Sequence, residues 1–137
     1  LSEMDEYFPV DLLPYSSPDL ELQIARLYYA TGQTDEFRQR VEKILEYDNI
    51  PMETHYYIGQ IYLNELAEFE KAIGIFRQLH DNPKYTHVPN FMEGLVQAYS
   101  RAGQVSEAIN VLENWILTHP DDNEANTMLE FLKKEES

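Results

Sequence analysis

Three stretches of the chain read alike. They are Leu27-Tyr28-Tyr29-Ala30-Thr31-Gly32-Gln33-Thr34-Asp35-Glu36-Phe37, then Ile61-Tyr62-Leu63-Asn64-Glu65-Leu66-Ala67-Glu68-Phe69-Glu70-Lys71-Ala72, then Ala98-Tyr99-Ser100-Arg101-Ala102-Gly103-Gln104-Val105-Ser106-Glu107-Ala108. Phe37, Ala72 and Ala108 hold the same place in each, 35 and 36 residues apart. A period of this length marks a supersecondary unit that buries its apolar face against copies of itself. Each stretch carries a tyrosine shortly before its turn and an amphipathic run after it. The unit is therefore a helix, a tight turn and a second helix.

Working outward, the first unit places helix A from Pro18 to Thr31. Ser17 is its N-cap, because a hydroxyl there accepts from an orphan N–H, and Pro18 suits the first helical position. Leu20, Ile24, Leu27 and Tyr28 form an apolar stripe at helical spacing, and Gly32 is free to take the left-handed conformation that ends a helix. Helix B follows from Thr34 to Tyr47. The second unit gives helices at 52–64 and 68–79, with one residue more in the turn between them and no glycine there. A connector at 80–89 leads to the third unit, with helices at 89–102 and 105–118 around Gly103. A last helix at 122–135 becomes highly charged at its end, as a terminal cap requires, and Asp121 with Glu124 fits a capping box at its start. The expected organisation is an extension at 1–17, repeats at 18–51, 52–88 and 89–122, and a capping helix.

Composition sets the classes of function. Of 137 residues, 43% are hydrophobic, enough for a packed core, while the net charge is −15. A chain this acidic repels a phosphate backbone unless its basic residues cluster, and they do not, which argues against nucleic acid and anionic membranes. There is no cysteine, hence no disulfide and no thiol nucleophile, and that absence leaves the compartment open. No apolar run is long enough to span a bilayer. The chain begins at Leu1, so we expect a processed chain or a segment of a longer polypeptide.

Chemistry-bearing patterns are few. His55, His80, His87 and His119 contain no i, i+4 pair of the kind that binds metal on a helix. His80 and His87 flank a connector with Asp81 and read as solvated side chains. Carboxylates crowd helix starts, where the helix dipole already favours them. No phosphate loop or nucleophile elbow is present. We expect no catalytic residue, no metal site and no cofactor. Gly94, inside a helix where glycine costs about 1 kcal/mol, is expected to mark a close approach of two helices.

The pattern resembles the tetratricopeptide repeat family. The residues that carry the resemblance are Met92, Leu95, Val96, Tyr99, Gly103, Ala108, Leu112, Trp115 and Pro120 in the third unit. His55, Ile58, Gly59, Tyr62, Ala72, Phe76 and Leu79 carry it in the second, and Ile24, Ala25, Tyr28, Gly32, Phe37, Val41 and Ile44 in the first. The resemblance implies an all-α helical-repeat solenoid of three tetratricopeptide-like helix pairs plus a C-terminal capping helix.

It also implies a non-catalytic protein–protein interaction or scaffold module that holds a peptide or helix in a concave groove lined by the A helices. The groove positions carried over are Leu22, Arg26 and Tyr29, then Tyr56, Gln60, Leu63 and Asn64, then Glu93, Gln97, Ser100 and Arg101. Tyr56 is expected at the middle of this array. One subfamily clamps the C-terminal carboxylates of chaperones with basic residues. The matching positions here are Leu22, Arg26, Tyr57, Asn90 and Gly94, of which only Arg26 is cationic, so chaperone tails are not the expected ligand. An apolar-anchored peptide with basic flanks fits better. The alternative reading is a soluble structural or regulatory appendage of a larger enzyme, such as a tail of a membrane-bound one. Tyr7, Phe8, Val10, Leu12, Leu13 and Tyr15, broken by Pro9 and Pro14, are expected to cover the open end of the first unit.

Overall fold

The computed structural model describes residues 17–136. The expected packing of the N-terminal extension lies outside the described residues, apart from Ser17. Seven helices follow one another with no strand among the described residues: α1 (Pro18–Ala30), α2 (Thr34–Ile44), α3 (Met52–Gln60), α4 (Phe69–Asp81), α5 (Pro89–Arg101), α6 (Val105–Thr118) and α7 (Asn123–Glu136). The fold is all-α and built from helix pairs, as the repeat period requires. Two compact units divide at His55 and Tyr56, inside α3.

In the first unit the cap of α1 is the expected one: the Leu20 N–H donates to Ser17 Oγ at 3.2 Å. Gly32, at φ +80°, ends the helix, and the Gln33 N–H returns to the Tyr28 carbonyl at 2.9 Å. The buried face of α1 is Pro18, Glu21, Ile24, Ala25 and Tyr28. It is rotated from the expected stripe, so Leu27 stands at its edge, 41% exposed. Glu21 is buried instead, and its Oε2 has no hydrogen-bond partner among the described residues. On α2, Phe37, Val41 and Ile44 are fully buried. This helix ends three residues before the expected Tyr47. The Glu46 and Tyr47 N–H groups bond back to Lys43 and Ile44, an i→i+3 pattern tighter than the α-helix.

The second repeat solves the problem of its extra residue within the backbone. After Gln60 the helix widens into a π turn over Ile61–Glu65, where the Leu66 N–H reaches the Ile61 carbonyl five residues back. Ala67 then takes φ +52°, the position that Gly32 and Gly103 (φ +81°) hold in the sister repeats. The closing bond is conserved in form: Glu68 N–H to the Tyr62 carbonyl at 2.8 Å, against Gln104 N–H to the Tyr99 carbonyl at 2.8 Å.

The core of the second unit gathers on Phe76 of α4, which is fully buried. Its ring fits between two glycines of successive first helices. A Cβ on Gly59 would lie 2.8 Å from Phe76 Cε1, and a Cβ on Gly94 would lie 2.9 Å from Cδ1. Gly94 is thus a site of close packing. Tyr62, Leu95, Tyr99, Ala108, Leu112 and Trp115 are buried as well, as the repeat register requires. The cap of α7 is Asp122 rather than Asp121: Asp122 Oδ1 accepts from the Ala125 N–H at 3.0 Å while Oδ2 accepts from Trp115 Nε1 at 2.9 Å. The indole of the preceding helix selects between the two aspartates.

Candidate functional site

The eleven residues singled out from the sequence fall on the first helices of the repeats. In the first unit Leu22 is half-buried, Arg26 exposed and Tyr29 43% exposed, its ring 4.8 Å from that of Phe37. In the second unit Tyr56, Gln60, Asn64 and Arg101 form one chain of hydrogen bonds. Gln60 Nε2 donates to Tyr56 Oη at 2.9 Å, Asn64 Nδ2 to Gln60 Oε1 at 2.8 Å, and Arg101 Nη1 to Asn64 Oδ1 at 3.0 Å. The steps along α3 are i, i+4 neighbours, which share one side of a helix. The Arg101 guanidinium also lies over the Phe69 ring, 5.4 Å from its centroid.

Two of these residues are placed differently from expectation. Leu63 is fully buried and is not available to a ligand at the surface. Ile61, Tyr62 and Leu63 are three consecutive buried residues at the π turn, so the core there wraps past the side that an ordinary helix would leave open. Tyr56 is only half exposed. Its ring sits 5.8 Å from Phe76 and 5.3 Å from Phe91, so it joins α3 to α4 and α5.

The remaining positions come together on α5. Glu93, Gln97, Ser100 and Arg101 recur at i, i+4, i+7 and i+8 and line one wall of a trough whose other wall is α7. The trough consists of two adjoining pockets of about 440 and 460 Å³ that share Gln97, Thr127 and Met128. At one end Val96, Met128, Phe131 and Leu132 make the lining apolar, and Phe131 is 61% exposed. At the other end stand Glu93, Asn123 and Glu124. Burial raises the Glu93 carboxyl above the usual range, and the nearby Glu124 and Asp122 add to the rise.

The sequence reading missed Thr127 and Phe131. Phe131 was visible as an aromatic residue off the buried stripe of the last helix, where Ala125 and Leu132 are buried. Gly94, one of the positions discussed for a carboxylate clamp, is buried against Phe76.

Among the described residues no group of three or more His, Asp or Glu is placed to hold a metal ion, and no helix is long and apolar enough to cross a membrane. A comparison with curated proteins gives no significant match. Two family profiles, each described as a tetratricopeptide repeat, match residues 53–84 and 92–124. Repeats of this class generally mediate protein–protein interaction and are typically non-catalytic. The chain carries tetratricopeptide repeats over these two helix pairs, and the pair at Pro18–Ile44 is closed by the same turn.

Proposed function

We propose that this chain is a non-catalytic protein-interaction module that holds a helical or extended segment of a partner along the groove lined by its A helices. The observation that carries the reading is the trough between α5 and α7, where four of the carried-over positions meet an exposed aromatic side chain. Open clefts with a mostly apolar lining and a few polar groups are where proteins take ligands. Tyr56, Gln60 and Asn64 extend the same reading to the second repeat, while Leu22, Arg26 and Tyr29 are the carried-over positions of the first compact unit, taken by itself. Leu63 drops out because it is buried.

The test is site-specific photo-crosslinking. A photoreactive side chain is placed at Gln97, in the trough, or at Glu113, exposed on α6. Partner proteins from the source cell should be trapped from position 97 and not from 113. Trapping from 113 alone would put the binding surface on the second helices and remove this reading.

A further inference from the structure

The trough between α5 and α7 differs at its two ends, and the difference specifies what fills it. One end is built from Val96, Met128, Phe131 and Leu132, and the other carries Glu93 and Glu124. We propose that the occupant is a partner segment basic at one end and apolar at the other. Its Lys or Arg is set against Glu93 and Glu124, and its bulky apolar side chain against Met128 and Phe131. The inference rests on the reading of this face as the binding surface and adds the chemistry and direction of the ligand.

Charge complementarity selects this occupant. Among the described residues no ion pair reaches Glu93 or Glu124. Of the cations on α5 and α7, Lys133 pairs with Glu113 at 3.5 Å, and Arg101 lies at the apolar end, held by Asn64 and the Phe69 ring. The third carboxylate beside the acidic end, Asp122, is taken up by the cap of α7 and by Trp115. Glu93 and Glu124 therefore face each other without compensation, and the partial burial of Glu93 makes a cation there worth more than on open surface. A second copy of this chain is a poor occupant, because two copies would each bring a net charge of −15.

The spacing follows from the helix. Glu124 and Phe131 stand seven residues apart on α7, which at the rise of an α-helix is about 10 Å. A partner helix spans that distance in two turns, putting its cation and anchor at i and i+7. An extended partner spans it in about three residues.

The experiment is selection of a random peptide library by the intact chain, with peptides of about twelve residues, long enough for two helical turns and flanks. The chosen peptides should carry Lys or Arg at one of these spacings from a bulky apolar residue. Their affinity should fall with added salt, and drop about fivefold in the Glu93→Gln, Glu124→Gln double variant. The charge-reversed double variant, Glu93→Lys with Glu124→Lys, should select acidic residues at the same place. Circular dichroism checks that each variant is folded. If Phe131→Ser abolishes binding but the Gln variant does not weaken it, the trough binds and the basic-partner inference is wrong. Peptides indifferent to both changes, or no enrichment at all, overturn the inference and the binding-face reading together.

Discussion

Ala67 holds a left-handed backbone conformation that glycine takes in the two sister repeats. An L side chain in that region costs roughly 1–2 kcal/mol, and Ala67 is exposed, so burial of its methyl does not offset that cost. Ala67→Gly should therefore raise unfolding stability, by about 0.5–1 kcal/mol after the extra freedom of glycine in the unfolded chain is counted. Chemical denaturation measures this, and a loss of stability would mean that the turn does not need the left-handed residue. The sequence displayed the missing glycine and the extra residue of this turn. It did not display where the extra residue goes, because a π turn and a longer loop have the same composition. Only the bonds from Leu66 and Glu68 back to Ile61 and Tyr62 decide between them.

At the scale of elements, the packing of first helices against α4 depends on one ring and two glycines. Phe76 lies within 2.9 Å of the Cβ positions that Gly59 and Gly94 leave vacant. Alanine is the better helix former by about 1 kcal/mol, so propensity alone makes Gly94→Ala stabilising. Overpacking against a fully buried ring costs about 1–3 kcal/mol and should win. The expected result is a lower melting temperature for Gly94→Ala, partly recovered when Phe76→Leu is added. A higher melting temperature for the single variant would show that the ring moves aside without cost. The helices themselves were legible because the repeat period and the turn residues agree. The details that failed were those set by tertiary contacts. Trp115 chooses Asp122 over Asp121 as the cap, and the buried face of α1 takes Glu21 in preference to Leu27.

At the scale of the whole molecule, titration should separate two charge effects. His55 and His80 both lie below the ordinary histidine range, chiefly through burial, and His80 Nδ1 is buried with no hydrogen-bond partner among the described residues. Their folded values are below the unfolded one, so the neutral rings stabilise the fold above about pH 6.5, and that stability is lost as pH falls through the folded values. The melting temperature should drop from pH 7 toward 5.5, and the drop should shrink in a His55→Asn, His80→Asn variant. Relief of the acidic self-repulsion belongs to a lower window, where carboxylates titrate. A melting temperature that rises steadily from pH 7 to 5.5 would mean that the histidines are not buried as neutral rings.

The binding face was half legible. Glu93, Gln97, Ser100 and Arg101 follow from the repeat register and line the trough. Its other wall belongs to α7, which follows the last repeat, so no register points to Thr127 or Phe131. Leu63 was misplaced because the π turn changes what the end of α3 buries.

Two exposed side chains of similar character make the most direct comparison. Phe131 is 61% exposed in the trough, and Leu117 is 80% exposed on α6. The measurement is the affinity of a crosslinked partner for Phe131→Ser and for Leu117→Ser, with melting curves to verify that both fold. A binding face between α5 and α7 requires Phe131→Ser to cost about 2 kcal/mol or more, as a hot spot does, while Leu117→Ser stays near the parent. A loss confined to Leu117→Ser, with Phe131→Ser binding like the parent, would contradict it.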